Sequence, residues 1–544
     1  MKLTQIFKTT ALSLGAVLAL SGCIRETFPK ESAITEEQLL SGQMEVVAEN
    51  LLKGIPSGLM SYVSGWEHTD FGYHSVGVYN DHACGLITSN GWMTGLPAGY
   101  DRFYPAAYSW GYASNSSMPS HVWYNYYPQI KSCNDLIKIL EGNEQLKHYS
   151  GIARAYRAMM YIDLARMFEC LYAENDNNPN YATEQLAVVG LTVPIVDENL
   201  DEEGAKNNPR ATREELFNFI FADLKFCEDA LAEYVPTSIT NPDLAVVYGL
   251  YARAKLYEGE YADAKNYAEL ALASGSFAPL TKEQWTSVTT GFNDADSQTS
   301  WMLCTRTSSE SSVVKTGIIN FASFMSNEQV YGYGGPGAGA YVEVDSKFYS
   351  QIPNTDFRKL SWKAPAGHEL ESQNTFVPAT DDYPGSSALP ELGCIKFRPG
   401  DGNPDDYMTG SATDFPMMRM EEMKFIIAEC DARLNNDATA LVDIVKTRNA
   451  EYACSLTGED LLREVFFQKR VEFWGEGINF FDYKRLGKGV TRGYAGTNHY
   501  EDARLNSSGL APWYNFCIVQ TEHNANPAVV SNPDPSDLIE PWQE

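Results

Sequence analysis

Apolar positions recur with a helical period in two blocks of this chain, separated by a middle that has no period. Val122, Tyr126, Ile130, Cys133, Ile137 and Leu140 fall on one stripe that crosses Pro128, which predicts a kinked helix. Gly151 to Phe168 follows with Ala155, Ala158, Met159, Ile162 and Ala165, small residues that let a neighbouring helix come close. Thr212-Arg213-Glu214-Glu215 is a capping box opening a helix that buries Leu216, Phe219, Ile220, Leu224, Cys227 and Leu231. A helix is also expected from about Thr35 to Lys53, on Leu39, Leu40, Val46, Val47 and Leu51. The second block has Met420, Met423, Ile427, Cys430 and Leu434 at helical spacing, then a helix after Thr457, whose hydroxyl can cap it together with Asp460.

Between Leu244 and Pro279 one helix ends at Gly259-Glu260-Tyr261, and the next carries Ala264, Ala268 and Ala271, a small-residue face by which paired helices nest. The unit resembles a tetratricopeptide repeat, and the pairs before it suggest three or four divergent copies. Two stretches lack periodicity, about Gly54 to Pro119 and Trp285 to Asp414, and both are rich in Gly and aromatic residues. The expected fold is mainly α, with tetratricopeptide-like helix pairs and long irregular loops.

The start of the chain changes the cellular picture. Lys2 and Lys8 precede an apolar run from Ala11 to Leu20, which reads as an export signal, and Leu20-Ser21-Gly22-Cys23 ends it. That string resembles the lipobox of bacterial lipoproteins, so residues 1–22 are expected to be removed and Cys23 acylated, an anchor worth about 0.8 kcal/mol per buried CH2. The formal charge of the whole chain is 41 − 71 = −30, and without Lys2 and Lys8 it is 39 − 71 = −32. Such an acidic surface argues against nucleic acid as a partner, and less strongly against polyanionic ligands. Of ten cysteines, the nine besides Cys23 show no paired spacing, and several lie at apolar helical positions, so no disulfide framework is expected. At this length two regions are anticipated: 23–285, holding the helix pairs, and 286–544, with an irregular part 286–414 and a helical part 415–544.

The order of features resembles a known family. The lipobox precedes Phe28-Pro29-Lys30; then come Trp123, Tyr127, Ile130 and Asn134, the helix bearing Arg154, Tyr156, Arg157, Tyr161 and Leu164, and the strand-like Val193-Pro194-Ile195-Val196. Near the end stand Lys469-Arg470, Glu472-Phe473, Glu476-Gly477, Phe481-Asp482 and Arg485, and the closing Asn526-Pro527 and Asn532-Pro533 match loosely an Asn-Pro ending. Together these look like the SusD/RagB family of outer-membrane nutrient-binding lipoproteins. The resemblance implies a helical protein tethered at the cell surface that captures glycan, without catalysis, for a SusC-like TonB-dependent transporter. Capture of peptides, a scaffold that binds only proteins and a surface glycosidase are the alternatives.

Candidate chemistry is sparse. Glu472 and Glu476 lie one turn apart, and paired carboxylates are what glycoside hydrolysis uses, but beside Lys469, Arg470, Asp482 and Arg485 they read as members of ion pairs. Asp401, Asn403, Asp405 and Asp406 lack the glycine and distal glutamate of a calcium loop, and His68, His74 and His82 lack the register of a zinc hydrolase. No cofactor or metal is assigned. The glycine run at 332–339 lacks the Lys-Ser/Thr of a phosphate cradle and reads as a flexible loop. What remains is the aromatic loops, since a sugar ring stacks its C–H face on Trp or Tyr while polar side chains meet its hydroxyls. Trp66, Tyr73, Tyr79 and Trp92, with Asp70, Asn90 and Arg102, are the ligand candidates of the first irregular segment, and Tyr331, Tyr333 and Tyr341 those of the second. Trp123 and Trp474, on helical segments, are expected in the core.

Overall fold

Among the described residues helices form where the apolar stripes predict them; Leu39 and Leu40 of the first stripe lie outside those residues, and its Val46 is exposed. The computed structural model describes residues 44–61, 72–73, 80–90, 117–173, 179–318, 320–535, 538 and 542–543. Cys23, Trp66, Asp70, Tyr79, Trp92 and Arg102, with His68 and His74, lie outside the described residues. The chain divides into a unit of residues 1–50 and a second of residues 51–544. Helix α1 is Met44–Leu59; α2, Ser117–Ile139, runs through Pro128 and buries the whole predicted stripe from Val122 to Leu140. Then follow α3, Lys147–Phe168; α4, Arg213–Ala230; α5, Leu244–Glu258; and α6, Tyr261–Ala273. Each packs on the next, α2 on α3, α3 on α4, α4 on α5, and α5 on α6, as stacked helix pairs do.

Local chemistry sets the joints. The capping box at Thr212 and Glu215 is formed. On α4, however, Phe217 takes the buried place expected for Phe219, which lies half-exposed at the rim against Tyr161 and under the Arg157 guanidinium. Gly259 turns α5 into α6 with φ +82°, a conformation that costs a side chain but not glycine, and Ala264, Ala268 and Ala271 are fully buried behind it.

The residues 193–196 make no ladder; they run extended and are gripped by side chains. Tyr127 Oη donates to the Pro194 carbonyl at 2.8 Å, and Asn134 Nδ2 to that of Val196 at 2.9 Å. Arg157 Nη1 in turn holds Asn134 Oδ1 at 2.6 Å, while its other nitrogens clasp Asp223 at 2.7 Å. The spaced Tyr, Asn and Arg residues are thus one buried knot tying α2, α3 and α4 to this segment.

Among the described residues three two-stranded pairings interrupt the helices, none of them anticipated. Strand β1, Ile87–Asn90, pairs antiparallel with β3, Tyr341–Val344; β2, Trp301–Thr305, with β4, Phe415–Arg419; and β5, Val490–Thr491, with β6, Asn506–Ser507. The second block then folds as α7, Met420–Asn435; α8, Thr439–Lys446; α9, Gly458–Glu472; and α10, Asn479–Arg485. Leu434 of α7, expected in the core, is half-exposed, and Thr457 takes the cap position of α9 without a hydroxyl hydrogen bond. Trp123 and Trp474 are buried as expected. Among the described residues, no helix is long and apolar enough to cross a membrane.

Candidate functional site

The β1–β3 pairing joins the two irregular segments. Its register sets Ile87 against Val344 and Asn90 against Tyr341, so two ligand candidates that lie far apart in the chain stand opposite one another. Trp92 follows Asn90 by two residues in the chain.

Tyr341 is half-exposed, and partial burial raises its hydroxyl pKa. The other edge of β3 is held by backbone and by a side chain: the Cys394 N–H donates to the Val342 carbonyl at 2.8 Å and the Val344 N–H to that of Leu392 at 3.1 Å, while Asn327 receives the Val342 N–H at 2.9 Å and donates to the Val342 carbonyl at 2.8 Å. The Ala340 N–H bonds the Tyr333 carbonyl at 3.2 Å, which brings Tyr333 to the start of β3 with its ring stacked on Phe324 at 4.8 Å.

The glycine run is a packed turn, not the flexible loop expected. Buried Gln329 organises it, accepting from the Gly332 N–H at 2.6 Å and donating to the Gly334 carbonyl at 2.5 Å. A Cβ on Gly335, whose φ is +69°, would lie 2.4 Å from the Asn327 carbonyl oxygen, and one on Gly337 would lie 2.3 Å from that of Val330. Glycine is required here because two stretches of backbone touch. The turn also directs Tyr331 inward: its hydroxyl lies where a Cβ on Gly410 would be only 2.4 Å away, and burial raises its pKa. Tyr73 packs elsewhere, stacked 6.3 Å from the ring of Tyr126 on α2, with its hydroxyl pKa raised by burial and by Asp163. Tyr333, Tyr341 and the backbone of Asn90 are therefore the candidates brought together among the described residues.

Sequence reasoning passed over Asn327 and Gln329, which hold this arrangement. Their only signal was two carboxamides just ahead of a glycine run.

The carboxylates are committed to structure. Glu472 receives Arg448 at 3.0 and 3.1 Å, Arg419 at 3.2 Å and Arg358 at 3.2 Å; Glu476 receives Arg419 at 2.8 and 3.0 Å and Lys396 at 2.7 Å. Ion pairing is as expected but the partners are not: they come from remote segments, while Lys469 and Arg485 pair with Glu429 and Asp482. The three guanidiniums outweigh burial and hold the Glu472 carboxyl far below the ordinary range. A general acid needs the opposite shift and an open face toward substrate. The Asp401–Asp406 turn is likewise spent on capping: Asn403 Oδ1 accepts from the N–H groups of Asp405 and Asp406, and Asp406 caps Met408 at 3.0 Å. Among the described residues no cluster of His, Cys, Asp and Glu could hold a metal ion. His82 is buried, and desolvation lowers its pKa.

Residues 339–534 match the sequence model of the SusD family. Among solved structures, the chain is similar to a SusD-like carbohydrate binding protein from Bacteroides vulgatus (20% identity, TM-score 0.67, covering 89% of this chain and 97% of that one). It is also similar to SusD superfamily proteins from Bacteroides thetaiotaomicron (19%, TM-score 0.66, 90% and 99%) and Parabacteroides distasonis (16%, TM-score 0.64, 90% and 99%). At these identities the likeness establishes the shared helical fold. No curated protein sequence matches the chain.

Proposed function

We propose, from the match of residues 339–534 to the sequence model of the SusD family, that the chain is a member of that family and a non-catalytic lipoprotein of the outer membrane. It captures oligosaccharide at the cell surface and passes it to a SusC-like TonB-dependent transporter. The observation that carries the ligand reading is the β1–β3 register, which sets Asn90 opposite Tyr341 and joins both aromatic segments at one place. Tyr341 and Tyr333 are each partly exposed, which a stacking platform requires, and Asn327 and Gln329 hold the adjoining backbone. The solved relative from Bacteroides vulgatus, described as carbohydrate binding, supports the same class of ligand.

The test is calorimetric titration of the mature chain with glycans selected on an array. Tyr341→Ala should weaken binding by roughly 1 to 3 kcal/mol with little change in melting temperature, as expected of a partly exposed anchor. Trp123→Ala, which opens a cavity beside Tyr127 and Phe168, should cost about 3 to 5 kcal/mol of stability and leave affinity unchanged. If Tyr341→Ala binds glycan as wild type does, the platform lies elsewhere; if only peptides bind, the ligand class is wrong.

A further inference from the structure

A cleft of about 180 Å³ lies between α7, the first half of α9 and the turn that follows α10. That is below the roughly 300 to 1,000 Å³ of sites for drug-sized molecules, so it suits a small ligand. One wall is apolar, made by Leu462, Val465 and Phe466 on one stripe of α9 and by Leu486 from the turn. The rest is charged: Glu429 and Arg433 stand one turn apart on α7, Glu459 lies in the first turn of α9, and Lys488 comes from the turn.

Glu429 is spent on structure, whereas the other three charges keep capacity. Its carboxylate receives Arg433 Nε at 2.9 Å, Arg485 Nη1 at 2.8 Å and Lys469 Nζ at 3.4 Å. Lys469 and Arg485 also hold Asp482, so in this cluster three cations face two carboxylates. Arg433 gives Glu429 only its Nε–H, and of the five N–H groups of a guanidinium the four on its terminal nitrogens remain. The Lys488 ammonium lies 5.8 Å from the centre of the Phe466 ring. Among the described residues neither that ammonium nor the Glu459 carboxylate is in an ion pair or a side-chain hydrogen bond, with the other or with any third group. The walls are tied in place: Asn436, which ends α7 with φ +53°, accepts from the Gly458 N–H at 2.6 Å and so sets the start of α9, and the Lys488 N–H donates to the Tyr483 carbonyl at 2.8 Å.

A free cation and a free anion thus share one lining with an apolar wall, and a ligand that carries both signs on neighbouring atoms satisfies both. We propose that this cleft binds a free α-amino acid with an apolar side chain, as its zwitterion. The carboxylate meets Lys488 and the terminal nitrogens of Arg433, the ammonium meets Glu459, and the side chain lies against Leu462, Val465 and Leu486. This goes beyond glycan capture and does not rest on it, since the lining includes no residue of the Tyr341 platform.

The experiment titrates the mature chain, held in detergent at pH 7, with leucine, leucinamide, N-acetylleucine and glycine. Leucine should bind, and the other three should each bind roughly tenfold more weakly or worse, because each lacks one of its contacts. Leucine affinity should fall as salt is raised. Lys488→Met keeps an apolar stem beside Phe466 and removes the charge; it should weaken leucine by roughly tenfold and leave leucinamide, which has no carboxylate, unchanged. Glu459→Gln, at an exposed position, should weaken leucine to a similar degree and leave N-acetylleucine unchanged. Both variants should melt as wild type does, since neither charge holds another described side chain. No binding of leucine, leucinamide or N-acetylleucine bound as tightly as leucine, or wild-type affinity for leucine in either variant overturns the proposal. Tyr341→Ala should leave leucine binding intact; its loss there would put the amino acid on the platform and overturn this site, whereas failure of every glycan to bind refutes the glycan reading alone.

Discussion

Replacing Glu472 by Gln should cost the protein about 3 to 5 kcal/mol of stability, because it breaks a closed account of buried charge. Arg358, Lys396, Arg419 and Arg448 face Asp356, Glu421, Glu472 and Glu476, four cations against four anions, all with side chains at most 2% exposed. The amide keeps the shape of the carboxylate, removes one negative charge and turns N–H donors toward guanidinium donors. One positive charge is then left uncompensated in a medium that solvates it poorly. Glu476→Gln should cost less, since Glu476 receives two cations, Arg419 and Lys396, where Glu472 receives three guanidiniums. Denaturant unfolding reads the effect as a lower midpoint at an unchanged slope. The pH dependence has a definite sign. The Glu472 pKa is depressed on folding, so its contribution is complete above the ordinary carboxylate value of about 4.3 and is lost as pH falls below it, where wild type and variant should converge. A loss under about 1 kcal/mol at pH 7 would refute the charge account, and sugar release by wild type that disappears in Glu472→Gln would refute the non-catalytic reading.

Gly335→Ala should destabilise by more than about 1 kcal/mol and weaken glycan binding together, since the new Cβ meets the Asn327 carbonyl oxygen at 2.4 Å with φ at +69°; an unchanged melting temperature would mean the turn is as loose as its composition suggests. Asp81, buried with its carboxylate receiving the Gly475 N–H, has its pKa raised to about 8, chiefly by desolvation. A carboxyl raised on folding contributes stability that is complete below about 4 and is lost as pH rises toward 8, so Asp81→Asn should flatten the fall in stability across that window; an identical pH profile counts against it. Cys23→Ala should shift the protein from the membrane pellet to the soluble fraction, and a variant still in the pellet would require another anchor.

The helical half of this fold was legible because its signal is local. A stripe such as Val122 to Leu140 repeats over five turns, and the capping box at Thr212 and the turn at Gly259 are set by residues within four positions of each other. The errors within helices come from the same locality. Phe217 and Phe219 flank the buried face of α4 on opposite sides, and it is Phe217 that goes inside, with its ring stacked on Tyr257 at 5.9 Å. Strands β1 and β3 have four residues each, too few to display alternation, and each exists because the other does, at a separation no local pattern reports.

The candidate binding region was the least legible part for a related reason. Glycine-rich sequence has two opposite physical readings, a chain free to move and a chain that must touch another backbone. Composition cannot choose between them, because the choice depends on what occupies the space a Cβ would take. Around Gly332 to Gly337 that space holds the backbone of residues 323–330, placed there by the carboxamides of Asn327 and Gln329. The same uncertainty governed Glu472 and Glu476. Paired carboxylates suit catalysis when they face a cleft and structure when they face arginines, and the arginines that decide it, Arg358, Arg419 and Arg448, approach from 24 to 114 residues away along the chain. What the local pattern did carry was a segregation of aromatic residues into two irregular stretches, and the register of Asn90 against Tyr341 gives that segregation a place in the fold.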